Sequence, residues 1–221
     1  MFLLMSALLG CVKELPDPIF VEKTIVEQTY IDECNCDTNC GCIADAVTPD
    51  DSGVDTAAST ELELQFDPEE CRNRAGDHVC NMNLMNQDGD RVDLYDYYGS
   101  VILLDFSAMW CAPCQQAGYD HQLILDAFAG QDFVYITVLL DNFQGQTPTL
   151  TDLNVWANQF GIESPILQGR TTLYGQDEKE QWPFSGYPAF VIIDRDMVWH
   201  DSLPGYNGNT LIQLVQEAFA Q

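Results

Sequence analysis

The residues with the plainest chemical use are Cys111 and Cys114, separated by Ala112 and Pro113. Two cysteines at this spacing can close a disulfide and reopen it, and so trade two electrons with another thiol pair. Exchange requires one acidified, accessible thiol that attacks and a second within reach that resolves. Cys111 suits the first role. Cys114, expected to be the more buried, suits the second. The reagent is the thiolate, and a cysteine pKa falls at a helix N-terminus, where unpaired N–H groups and the positive dipole end favour an anion. A structural staple has no need of such a position.

The flanking sequence supplies that position. Val101 to Leu104 is a short β-rich apolar run, as expected of a central strand buried on both faces, and Trp110 closes it. Within Gln115 to Phe128, the apolar residues Leu123, Ile124, Ala127 and Phe128 predict one face of a helix. Cys111 is therefore expected at the helix start, exposed at the strand tip. Pro113 falls in the first turn, where it costs no helix hydrogen bond. Asp132 to Leu140 predicts the next strand. Strand, helix and strand in that order imply a parallel, right-handed crossover.

The segment from Asp105 to Cys114 (Asp-Phe-Ser-Ala-Met-Trp-Cys-Ala-Pro-Cys) resembles the active-site signature of the thioredoxin superfamily. It is most similar to the TlpA/ResA-type thiol-disulfide oxidoreductases of bacterial envelopes. Gly186 to Asp194 (Gly-Tyr-Pro-Ala-Phe-Val-Ile-Ile-Asp) is similar to the second hallmark, a cis-proline close to the cysteine pair and followed by a strand. A lone CxxC is a weak signal, but the two segments together are a specific one. The resemblance covers residues 67–221. It implies an α/β thioredoxin-like fold, with a central mixed β-sheet flanked by helices, and a reaction that needs no cofactor. The implied partners are protein thiols and disulfides and an unidentified electron donor, with reduction favoured over oxidation. For Asp105 it implies a buried acid that helps deprotonate Cys114 through water. For Pro188 it implies a cis bond after Tyr187 that keeps metals and misplaced partners from the sulfurs. Tyr187 is then a substrate contact, and Trp110 a core or rim residue. Peroxidase relatives use a lone cysteine behind a Pro and a Thr, which has no match here.

The chain has 221 residues, 46% of them hydrophobic, enough for one well-cored domain plus extra segments. Its formal charge is −27, divided as −11 over residues 1–66 and −16 over 67–221. So acidic a chain has no electrostatic footprint for nucleic acid and reads as a solvated acidic surface. Nine cysteines suggest an oxidising compartment or metal binding. The apolar run from Met1 ends Leu8-Leu9-Gly10-Cys11, which resembles a bacterial lipoprotein signal, although no Lys or Arg precedes it. On that reading residues 1–10 are a signal peptide and Cys11 is lipidated. The protein is then anchored to a membrane at the periplasmic or extracytoplasmic face of the bacterial envelope.

Residues 11–66 read as a disordered acidic tether. It holds Cys34, Cys36, Cys40 and Cys42, which could form two local disulfides, a soft-metal clip or an electron relay to Cys111. The spacing is tighter than in zinc fingers. These four cysteines, or Cys111 with Cys114, are the basis of a rival reading as a non-enzymatic copper-binding lipoprotein. His200 invites the same reading.

In the 67–221 domain, Cys71 and Cys80 are expected to form a structural disulfide around a short polar loop. Gln87 to Asp90 is a hairpin turn signal. Leu150 to Phe160 has helical spacing, stopped by Gly161. Ser164 to Leu167 resembles a short inserted strand, and Gln168 to Ser185 a helix fragment plus loop. Ala189 to Ile193 is a strand, and Met197 to His200 pairs back on it. Asn209 is expected to cap a last helix with Leu211, Ile212, Leu214, Val215 and Phe219 facing the sheet. His121 is expected to face the core or rim, and Met82 and Met85 to fill gaps.

Overall fold

The computed structural model describes residues 63–176 and 178–221. Cys11, Cys34, Cys36, Cys40 and Cys42 lie outside the described residues, as do the 1–10 signal and nearly all of the 11–66 tether. Phe66, at the end of that tether, stacks on His78 with ring centroids 4.2 Å apart and packs on the domain core.

A small antiparallel hairpin comes first, with β1 (Asn83–Met85) and β2 (Arg91–Asp93) joined through the expected turn. The main sheet is built on β3 (Val101–Ala108), whose eight residues are all buried. Beside it lies β4 (Phe133–Asp141), and beyond that the short β5 (Ile166–Gln168), both parallel to their neighbours. On the other side β6 (Ala189–Ile193) pairs antiparallel with β3, and β7 (Trp199–Pro204) with β6. The order β5-β4-β3-β6-β7 is a mixed sheet. The helices are α1 (Ala112–Ala127), α2 (Leu150–Phe160) and α3 (Gly208–Ala218). This is a thioredoxin-like fold.

Because strand side chains alternate, β3 serves two cores. Val101 and Leu103 pack with Ala117, Ile124 and Phe128 of α1 and with Leu211 and Val215 of α3. Ile102, Leu104 and Phe106 face the opposite layer, which Val79, Leu94, Trp182 and Trp199 fill. A third cluster joins Cys111 and Cys114 to Met109, Leu139, Leu153 and Trp156, and so ties α2 to the start of α1. Each fully buried aliphatic side chain contributes about 1.5–3 kcal/mol of transfer free energy.

Several local expectations need correction. The strand expected from Val101 and closed by Trp110 ends at Ala108, two residues earlier, with Asp105 buried within it. On α1, Leu123 is 58% exposed and Ala127 is also exposed; the inner face instead runs through Cys114, Ala117, Gly118, His121, Ile124 and Phe128. That stripe has helical period but includes a glycine and a histidine, so an apolar count passes over it. Asn207, not Asn209, caps α3, its side chain accepting from the Thr210 N–H at 3.1 Å. The returning strand begins at Trp199 and continues to Pro204. The stretch from Gln168 to Ser185 agrees with the expected helix fragment plus loop: its described residues hold the 3-10 turn Thr171–Leu173 and bury Trp182.

α2 is set by its ends. Thr149 and Asp152 form a reciprocal capping box, and Gly161 stops the helix at φ 67°. Gly118 of α1 faces α2, where a Cβ would stand 2.8 Å from the Phe160 ring, so glycine permits the close approach. Among the described residues no helix is long and apolar enough to cross a membrane.

Candidate active site

Cys111 is the N-cap of α1, and Pro113 falls in the first turn. The cap geometry follows from the sequence: β3 ends at Ala108, the Cys111 N–H bonds back to the Ala108 carbonyl at 3.1 Å, and the helix begins at Ala112. Gln115 Nε2 donates to the Met109 carbonyl at 2.8 Å and pins the turn. Cys111 Sγ accepts the Cys114 backbone N–H at 3.3 Å, as an N-cap side chain does. The two cysteines form a disulfide with Cα atoms 5.2 Å apart. Cys111 is 5% exposed and Cys114 fully buried. The first thiol is therefore less open than an exposed strand tip implies, because as a cap it packs into the cluster of Met109, Leu139 and Trp156. Its neighbours Trp110, Ala112 and Pro113 are exposed, Trp110 to 51%.

The Tyr187–Pro188 bond is cis, and Pro188 leads directly into β6. Tyr187 packs against the cluster that holds both cysteines and meets Trp110 edge to face, with ring centroids 5.6 Å apart. Its hydroxyl donates to Asp141 Oδ2 at 3.2 Å, which fixes the loop to the end of β4. Burial first, and the Asp141 carboxylate second, push the Tyr187 pKa up to about 12. The structure thus brings Trp110, Cys111, Cys114, Tyr187 and Pro188 to one end of the sheet.

Asp105 is 2% exposed and follows Val101 and Leu103 on the sheet face that α1 covers. Ser107 Oγ donates to Asp105 Oδ1 at 2.5 Å, and the Tyr135 hydroxyl donates to Oδ2 at 3.3 Å. Burial raises the Asp105 pKa to about 7, against the two hydrogen bonds that lower it. The His121 ring packs tilted against the Tyr135 ring, with centroids 4.2 Å apart, and its Nε2 lies 2.8 Å from Ser164 Oγ. Burial holds His121 neutral, with its pKa lowered to about 4.

Sequence reasoning missed Ser107, Tyr135 and Asp141. Ser107 was findable: it lies two residues past Asp105 on one strand and so shares its face. Tyr135 and Asp141 come from β4, and only the β3–β4 register brings Tyr135 to Asp105. Cys71 and Cys80 form the expected disulfide, with Cα atoms 4.8 Å apart. Among the described residues no three His, Cys, Asp or Glu side chains converge to hold a metal.

Residues 75–199 match the AhpC/TSA family. The thioredoxin-like protein YneN of Bacillus subtilis (strain 168) is 23% identical over 126 residues, covering 57% of this chain and 69% of YneN. Among solved structures, a protein from Chlorobium tepidum designated thiol:disulfide interchange protein DsbE is 27% identical. It has a TM-score of 0.52 and covers 66% of this chain and 97% of its own. The exposed lipoprotein thioredoxin Etrx1 of Streptococcus pneumoniae strain TIGR4 is 26% identical. Its TM-score is 0.50, with 62% of this chain and 99% of that one covered. The chain belongs to the AhpC/TSA family, on a thioredoxin-like fold that holds a cysteine pair at disulfide distance.

Proposed function

We propose that the protein exchanges dithiol for disulfide on other proteins in the bacterial envelope, through Cys111 and Cys114, chiefly as a reductase. The observation that carries this reading is the placement of Cys111 Sγ as the N-cap acceptor of α1. In the reduced protein, the same N–H and the helix dipole stabilise a Cys111 thiolate. That thiolate attacks a substrate disulfide. The substrate S–S bond breaks, one substrate sulfur leaves as a thiol, and a mixed disulfide forms. Cys114 then loses its proton and attacks Cys111 Sγ. The mixed disulfide breaks, the second substrate thiol departs, and the Cys111–Cys114 disulfide closes. Two electrons have passed to the substrate, and a dithiol donor restores the pair.

Asp105 is the acceptor of the Cys114 proton, through water. Its burial on the α1 face and a pKa near neutrality support that role. Tyr187, Pro188 and Trp110 form the rim that the substrate meets. Cys11 supplies a lipid anchor, and the exposed lipoprotein thioredoxin among the structural relatives supports an extracytoplasmic setting.

The test is dithiothreitol-driven reduction of a disulfide substrate by the purified protein. Turnover that Cys111→Ser abolishes supports exchange. Bound copper without turnover supports the metal-binding rival instead.

A further inference from the structure

Asp141 touches both halves of the site. It closes β4, beside the tip of β3. Its carbonyl accepts the Met109 N–H at 3.0 Å, and so holds the turn that leads into Cys111. Its carboxylate accepts the Tyr187 hydroxyl at 3.2 Å, and so holds the loop that carries Pro188. The first arm is backbone, and any residue can supply it. The second is a side chain on a residue 8% exposed, and a carboxylate taken out of water costs free energy unless it is hydrogen-bonded. Val138, Leu139 and Leu140, which precede it on β4, are apolar and buried, so strand formation does not account for an acid here.

The far end of the second arm is closely set. Trp110 meets the Tyr187 ring edge to face, and Tyr174 lies tilted against it, both with centroids 5.6 Å apart. Tyr174 is placed in turn by Phe106 and Phe184. Pro188 is held on the β7 side, where its carbonyl accepts the Gly205 N–H at 2.8 Å. Apolar packing is non-directional, so it confines the Tyr187 ring without fixing its tip. The bond to Asp141 is directional and supplies that constraint. With its pKa pushed up to about 12, the phenol keeps its proton and stays the donor across the neutral range.

We propose that Asp141 is a positioning residue for the exchange reaction: it latches Tyr187 beside Trp110, so that the rim already has its binding shape when a substrate disulfide arrives. The proposal rests on the exchange reading and deepens it. Asp141 acts through Tyr187 and takes no part in moving electrons or protons. A rim ordered in advance lowers the cost of binding, so loss of the latch is read in KM. The carbonyl that holds Met109 is present whatever side chain stands at 141, so substitutions there sever the side-chain arm alone.

The test is steady-state reduction of a synthetic peptide with one disulfide ring by the full-length protein, with dithiothreitol as donor. Tyr187→Phe, which removes one hydroxyl and keeps the ring, and Asp141→Ala are each expected to raise KM about tenfold, with kcat changed much less. Asp141→Asn is expected to recover most of that loss, because an amide oxygen still accepts the phenol. Asp141→Ala combined with Tyr187→Phe is expected to cost no more than either alone, since both cut the same bond. An unchanged KM in Tyr187→Phe overturns the proposal, and this variant decides the case even where Asp141→Ala does not fold. An Asp141→Asn variant as impaired as Asp141→Ala, a loss carried by kcat, or losses that multiply in the double variant also overturn it. Hydroxyethyl disulfide, small and uncharged, reports separately on exchange itself. If the wild-type protein does not turn it over, the exchange reading fails and the latch has nothing to position. If it does, and the peptide KM is indifferent to Tyr187→Phe, the latch alone fails.

Discussion

The backbone N–H of Cys114 points at Cys111 Sγ across 3.3 Å. A single turn of chain therefore makes one cysteine both the cap of α1 and the disulfide partner of the residue that donates to it. The arrangement predicts unequal thiols: Cys111 acidified and at the rim, Cys114 buried and resolving.

Cys111→Ser is expected to lower turnover on the order of a thousandfold or more, since the remaining thiol of the pair, Cys114, is fully buried. Cys114→Ser is expected to leave the first attack intact and to accumulate protein–substrate mixed disulfide. Non-reducing electrophoresis and mass spectrometry check both outcomes.

Asp105 and His121 predict opposed pH dependences of stability. The Asp105 pKa is raised from 3.8 to about 7 by burial. Its neutral form is favoured in the fold, so its contribution is complete below about pH 4 and is lost as pH rises through 7. The His121 pKa is lowered from 6.5 to about 4 by burial. Its contribution is complete above 6.5 and is lost as pH falls through 4. Between about pH 4 and 6.5 the two slopes, each up to about 1.4 kcal/mol per pH unit, oppose one another. Asp105→Asn is expected to leave a stability that rises with pH in that window. His121→Gln is expected to leave one that falls. Tyr135 touches both groups, so the two effects are not strictly additive. Urea midpoints across the window give the slopes.

Replacing Cys71 and Cys80 by serine opens a loop of sequence separation 9. The expected cost is about 2–3 kcal/mol in the chain-entropy model, read as a lower denaturation midpoint. The Cys111–Cys114 pair is expected to remain reactive in that variant, because the loop belongs to the opposite core layer.

Gly118→Ala places a Cβ 2.8 Å from the Phe160 ring. That ring is wedged edge to face against both Tyr119 and Trp156, and it has little room to turn aside. Overpacking of about 1–3 kcal/mol is expected to outweigh the roughly 1 kcal/mol that alanine adds to helix propensity. Urea unfolding of the single variant measures the balance.

The sequence made the frame around the cysteines legible because its signals are local. The apolar run of Phe133 to Leu140 and the strand after Pro188 are dense enough to identify strands, and Gly161 marks a helix stop. The inner stripe of α1 was not legible, since Gly118 and His121 carry it while Leu123 points outward. The cap of α3 was ambiguous because Asn207 and Asn209 flank one glycine, and only the backbone decides between them. Tyr135 beside Asp105 depends on strand register. Asn73 reaches the Glu180 carbonyl across more than a hundred residues of chain, where no periodicity reaches.

The most direct test is titration of the reduced protein, following the thiolate absorbance of Cys111 with Cys114→Ser as reference. The account predicts a Cys111 pKa at least a unit below the ordinary value of about 8.5, with Cys114 titrating above it. A Cys111 pKa at or above about 8.5 would contradict it, since the helix start would then confer no activation on the attacking sulfur.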